Sequence, residues 1–196
     1  MASPTPYRDE NRRRLRSALV AAARDLTVAH GWPGVTMAAV AKLAGVSRQT
    51  VYNEFTDKAG LAEALARHEI EHFVDAVSTR LHEHGGDARA AAHAAVLHTL
   101  AEAARNPLIK AVLTSARGGA DELLPYLTTR SELVLAAASA AIHDWAAARL
   151  TDPDPDRLAL AAESVVRLTV SHIVQPSAPA ERTATALAEV FTRLLG

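Results

Sequence analysis

Two stretches of this chain hold residues whose types and spacing could do chemistry. The first is His68-Glu69-Ile70-Glu71-His72. On a helix, residues four apart share a face, so both imidazoles could grip a zinc ion while Glu69 acted as general base toward a metal-bound water. A hydrolytic site needs a third ligand, and the position six residues past the second histidine is Ser78; His82 and His84 lie beyond it. The bland alternative is an incidental pair on a helix surface. The second stretch is Thr36 to Lys58, TMAAVAKLAGVSRQTVYNEFTDK. Presented together by one helix, Arg48, Gln49, Thr50, Tyr52 and Asn53 could reach base edges or phosphate oxygens. Its bland alternative is a core hairpin with a polar outer face.

Two short helices meeting at a steep angle would position the second set. Gly45 can supply the left-handed turn between them, and Ala41 is small where the helices pass closely. Val40, Val46 and Val51 are apolar where a shared inner face must be buried, and Thr36, Ser47 and Thr56-Asp57 are placed to cap successive helices. Upstream, Leu15, Leu19, Ala22, Leu26 and Ala29 recur at helical spacing, with Gly31 and Pro33 to end that helix. Downstream, Leu61, Leu65, Ile70, Phe73, Val77 and Leu81 predict a long helix that carries the histidine string and stops at Gly85-Gly86. Further helices are predicted over about 87–105, 108–116, up to Leu150 with a kink or restart at Pro125, 156–174 and 180–195. Asn106-Pro107, Asp152-Pro153-Asp154-Pro155, Pro176 and Pro179 punctuate them. No segment alternates like a strand. The expectation is an all-α fold.

In register, the stretch reads Thr36, a short apolar helix, Ala44-Gly45-Val46-Ser47, then Thr50, Val51, Tyr52, Phe55 and Lys58. On these residues the chain from about Arg12 to Leu65 resembles the N-terminal domain of TetR-family transcriptional regulators. The resemblance implies a three-helix helix-turn-helix DNA-binding domain over 1–58 and a helical ligand-binding and dimerisation domain over 59–196. It implies that Thr36 and Ser47 offer hydroxyls or amides to phosphates, and that Arg48, Gln49 and Thr50 read base edges in the major groove. Tyr52 would touch backbone and thymine methyls, Lys58 would bind a phosphate, and Arg12 to Arg14 would add sequence-independent attraction. The chain departs from the family pattern after Tyr52, where an aromatic and a histidine are common and Asn53-Glu54 stand here. Asn53 keeps a base- or phosphate-contacting role. Glu54 would repel phosphate and is expected to pair with a neighbouring cation.

Charge follows the same division. Residues 1–60 carry nine basic and five acidic side chains, while the remaining 136 carry 12 and 17, so a basic head precedes an acidic body although the whole chain nets −1. With 49% hydrophobic and 22% charged residues the chain is not of the disordered class. It has no cysteine, which excludes disulfides, thiol catalysis and thiolate-held metals. The opening residues lack a secretory pattern and the longest apolar run, 133–142, is too short to span a bilayer, so a cytoplasmic protein without membrane attachment is expected.

For the acidic body, the family resemblance implies dimerisation through the last two helices. Leu158, Val165, Leu168 and Ile173, with Leu187, Val190, Phe191 and Leu194, form the stripes expected to meet a second copy; packing on their own subunit is the alternative. It also implies a pocket, here for something apolar, with His98, Trp145, Arg167 and His172 as the polar or aromatic candidates to line it. The expected function is a homodimeric repressor released from a palindromic double-stranded operator by a small molecule, with no catalytic residue, cofactor or metal. The competing classes are a zinc hydrolase built on His68 and His72, and a metal-sensing regulator drawing on His93, His98, His143 and His172.

Overall fold

The structure is a computed structural model that describes residues 6–106, 108–109 and 131–196. Every regular element among them is helical. They fall into two compact units that divide within one long helix, between His68 and Glu69.

In the first unit, α1 (Pro6–His30) ends at Gly31, whose φ of 72° with ψ of 162° is a conformation that glycine permits but not the left-handed helical turn expected there. Leu19, Val20, Ala22 and Ala23 are its buried face. Ala29, expected inward, is exposed. The reason lies one turn on: a 3-10 turn, Trp32–Gly34, places the Trp32 indole in the core. α2 (Met37–Ala44) begins at Thr36, whose hydroxyl accepts from the Ala39 amide at 3.1 Å. α3 (Arg48–Phe55) begins at Ser47, which accepts from Thr50 N at 3.1 Å. Each cap satisfies an amide that has no partner inside its helix and stabilises it by about 1 kcal/mol. Gly45 sits at φ 69° between them, and Val40, Ala41 and Val51 are buried where α2 meets α3; Val46 is only half-buried.

The long helix is α4 (Lys58–His82). Its cap is Asp57, whose Oδ1 accepts from Gly60 N at 2.8 Å. A side chain at residue 60 would strike the Phe55 carbonyl oxygen, so glycine there lets the start of α4 press against the end of α3.

The second unit holds the rest of α4 with α5 (Ala88–Arg105), α6 (Ser131–Arg149), α7 (Pro155–Val174) and α8 (Ala180–Leu195). Asp87 caps α5 by accepting from Ala90 N, and Asp154 caps α7 by accepting from Asp156 N and Arg157 N. α8 packs on α5 and α7, and α6 on α7. Of the predicted 108–116 helix only 108 and 109 are described, both helical; Pro125 lies outside the described residues. The stripes expected to face a second copy lie mostly inward. Leu158, Val165, Ile173, Leu187 and Phe191 are buried within their own unit, Val190 and Leu194 are half-buried, and Leu168 alone is exposed. Each buried side chain contributes about 1.5–3 kcal/mol of transfer free energy, which the unit recovers without a partner. What α7 leaves outward is Leu160, Leu168 and Val174.

Candidate nucleic-acid interface and apolar cavity

α3 presents the polar residues expected of it. Val51 and Phe55 anchor its inner face, so Arg48, Gln49 and Asn53 turn fully outward while Thr50 and Tyr52 lie at the edge. One turn apart, these side chains steady one another. Gln49 Nε2 donates to Asn53 Oδ1 at 2.9 Å, and an Arg48 guanidinium nitrogen donates to the Tyr52 hydroxyl at 3.1 Å while lying over its ring. Thr50 shares a 2.8 Å hydroxyl contact with Ser47. Lys58 opens α4 with its Nζ 5.2 Å from the Trp32 ring centroid. The local result is a row of donors and acceptors on one rigid helix face, the form that reads base edges. Thr36, at the start of α2, is exposed.

Glu54 is paired with cations. Its carboxylate accepts from Arg12 Nε at 3.1 and 3.2 Å, and its backbone carbonyl accepts from Arg16 at 2.9 Å, with the Arg16 guanidinium over the Phe55 ring. Arg13 and Arg14 both pair with Glu10 on α1.

Among the described residues the histidine string does not assemble a metal centre. Glu69, the residue the zinc motif would use as base, is buried in the second unit, where its Oε2 accepts from Asn106 Nδ2 at 3.1 Å. Asn106 in turn caps the following segment, its Oδ1 accepting from Leu108 N at 3.1 Å. No group of three His, Asp or Glu among the described residues could hold a metal ion. Glu69 is therefore a structural anchor in a buried polar node. Asn106→Ala removes its hydrogen bond to that carboxylate and uncaps Leu108; it should lower unfolding free energy by about 1–3 kcal/mol in urea titration, whereas Glu69→Gln, which still accepts from Asn106, should lose less and leave DNA affinity unchanged.

The second unit holds an apolar cavity of about 60 Å³, bounded by Phe73, Val77 and Leu81 of α4, by α5, α6 and α7, and by Phe191 of α8. Thr99 and Thr169 are its polar wall residues, and both hydroxyls are spent on their own helices, donating to the Ala95 and Val165 carbonyls at 2.8 and 2.7 Å. The rest of the wall is apolar. The four residues expected to line a pocket do not meet there. Trp145 is wholly buried and donates from Nε1 to the Gly85 carbonyl at 3.0 Å. His98 stacks on Phe73, and burial, followed by the charge of Arg80, holds its imidazole below the ordinary range. Arg167 pairs with Glu163 at 2.8 Å. His172 borders a separate, larger cavity of about 240 Å³ between α5, the end of α7 and the start of α8. The cavity-lining residues were missed because they are ordinary apolar helix positions; the one available signal was two threonines at buried helical positions.

Comparison with known proteins matches two parts of the chain. Residues 19–65 match the family described as bacterial regulatory proteins, tetR family, and residues 87–193 match the bacterial tetracyclin repressor, C-terminal domain. The chain is 33% identical over 192 residues to the HTH-type transcriptional regulator AlkX of Mycobacterium tuberculosis (strain ATCC 25618 / H37Rv), covering 95% of this chain and 88% of that one. It superposes on the TetR family repressor AlkX from Dietzia sp. strain DQ12-45-1b, implicated in biodegradation of n-alkanes, with a TM-score of 0.67 and 28% identity over 91% of this chain and 95% of that one. FadR from Bacillus subtilis, solved with stearoyl-CoA, shares the fold at a TM-score of 0.53 and 14% identity, covering 92% of this chain and 99% of that one.

Proposed function

Because this chain belongs to the TetR family of bacterial transcriptional regulators, which bind operator DNA as dimers and are not enzymes, we propose that it is a one-component repressor released from a palindromic operator by a small hydrocarbon-like ligand. The observation that carries the reading is the cavity wall: apolar but for two hydroxyls whose protons are already donated to their own helices. A ligand with an acceptor-only polar group would find no donor there and leave that group unpaired at a cost of about 1–3 kcal/mol, so the site favours saturated or lightly substituted chains. The Dietzia repressor, implicated in n-alkane biodegradation, supports that class.

The mechanism follows from α4. Room for only a few waters in the cavity means that a chain-like ligand must push its walls apart. Phe73, Val77 and Leu81 belong to the helix that starts at Lys58, so the push falls on the element that carries a phosphate-binding lysine. A ligand that binds the expanded form more tightly shifts the population toward it, and two heads displaced from one-turn spacing lose their half-sites. In this reading Arg48, Gln49 and Thr50 read bases, Tyr52 and Asn53 contact base or backbone, and Thr36, Ser47 and Lys58 hold phosphates. Leu160, Leu168 and Val174, outward on α7, would help to join the two copies. No helix among the described residues is long and apolar enough to cross a membrane, and the site of action would be the cytoplasm, on DNA.

The test is footprinting on DNA flanking the protein's own gene, with and without n-decane. Two protected half-sites about one helical turn apart, lost on adding the alkane, are the expected result. Protection of a single half-site, or protection indifferent to hydrocarbon, contradicts the dimeric or the ligand-released part respectively.

A further inference from the structure

The cluster that joins the start of α1 to the end of α3 carries an inference about specificity. α3 offers its polar face for DNA, and on its flank stands an acidic residue, Glu54, whose side chain is only 10% exposed. Both carboxylate oxygens lie at 3.1–3.2 Å from Arg12 Nε, a charge-assisted pair spanning 42 residues of sequence. Arg12 is otherwise outward, its side chain 67% exposed. Arg16 is held differently: it donates to the Glu54 backbone carbonyl at 2.9 Å and lies 4.5 Å from the Phe55 ring centroid, while its distance to the Glu54 carboxylate is 4.0 Å. Loss of the carboxylate would therefore leave Arg16 anchored and release Arg12.

We propose that Glu54 is a specificity-determining residue that acts through Arg12: it withholds one guanidinium from sequence-independent attraction to phosphate and so widens the gap between operator and bulk DNA. The reason is electrostatic. A free cation beside the DNA-facing helix releases about one counterion from any duplex, whatever its sequence, and steepens the salt dependence by about 0.9. That gain is the same at every genomic site, so it raises competing binding without improving base readout. A carboxylate fixed on the arginine cancels it while the reading residues, Arg48 and Gln49, keep pairings of their own. The inference rests on DNA binding by α3, and its test separates the two.

The experiment measures binding of wild type, Glu54→Gln, Arg12→Gln and the double variant to operator and to a scrambled duplex of equal length, by fluorescence anisotropy across a KCl series. Glu54→Gln should bind the scrambled duplex about three- to tenfold more tightly at low salt, with a slope steeper by about 0.9, and should discriminate less. In the Arg12→Gln background the same substitution should change neither quantity, because the cation it frees is gone. An unchanged or shallower slope for Glu54→Gln overturns the proposal. So does an equal increase in both backgrounds, which would make Glu54 a bare local charge and not a partner of Arg12. Thermal melting of each variant reports any loss of the α1–α3 tie, which lowers stability without steepening the slope. If wild type fails to prefer operator, the reading of α3 fails, a result distinct from either.

Discussion

Alanine at Gln49 or at Arg48 lowers operator affinity about 5- to 150-fold and relaxes preference at the base pair that each side chain reads. That range is the ~1–3 kcal/mol by which a bidentate side-chain pair discriminates its base. Both residues are outward on a helix anchored by Val51 and Phe55, so neither substitution opens the core and both variants should melt close to wild type. In the free protein Gln49 donates to Asn53 and Arg48 to Tyr52, bonds that hold the side chains extended along the face and so reduce the rotamer entropy lost on docking. Lys58→Ala gives the contrasting signature. A phosphate contact carries no sequence information, so affinity should fall uniformly over all duplexes while the salt slope flattens by about 0.9. Anisotropy titrations on operator and on singly mutated operators at two salt concentrations separate the two patterns. Unchanged affinity in all three variants would remove α3 from the major groove.

The second large effect is on release. Ala95 is buried on α5 and borders the apolar cavity. Ala95→Leu adds three carbons to a space of about 60 Å³ and should leave too little room for a ligand, at a stability cost of about 1–3 kcal/mol from overpacking. The expected phenotype is a repressor that binds operator normally and is no longer displaced by n-decane, with the concentration for half-release raised at least tenfold. A melting curve confirms that the variant is folded before that comparison is made. Displacement at the wild-type concentration would place the ligand elsewhere, with the larger cavity beside His172 the next to test.

The head was readable residue by residue because its geometry is set by short-range chemistry. A hydroxyl three residues before an amide, as at Thr36 and Ser47, or a glycine where the chain must turn left-handed, as at Gly45, makes its bond or adopts its angle with little reference to the rest of the protein. The pairing of Glu54 with a cation followed from the cost of facing phosphate with a carboxylate. That Arg12 would take the carboxylate and Arg16 the carbonyl depended on how α1 lies against α3, which no spacing encodes.

The body is the opposite case. His98, Trp145, Arg167 and His172 stood out as polar or aromatic residues among alanines and leucines, yet the apolar cavity is lined by side chains that look like any other core. Packing alone decided which of them leave a gap: Phe73, Val77, Thr99, Val165 and Phe191 come from four helices and share a wall only after those helices have crossed. The same crossing turned Leu158, Val165, Ile173, Leu187 and Phe191 into their own unit's core and left Leu160, Leu168 and Val174 outside. Helical periodicity specifies that a stripe is buried but not against what, because the hydrophobic effect is non-directional and any apolar neighbour satisfies it. Helix positions, caps and the polar face of α3 were therefore set by residue types and spacing, whereas the cavity, the buried Glu69–Asn106 node and the outward face of α7 were set by which helices pack together.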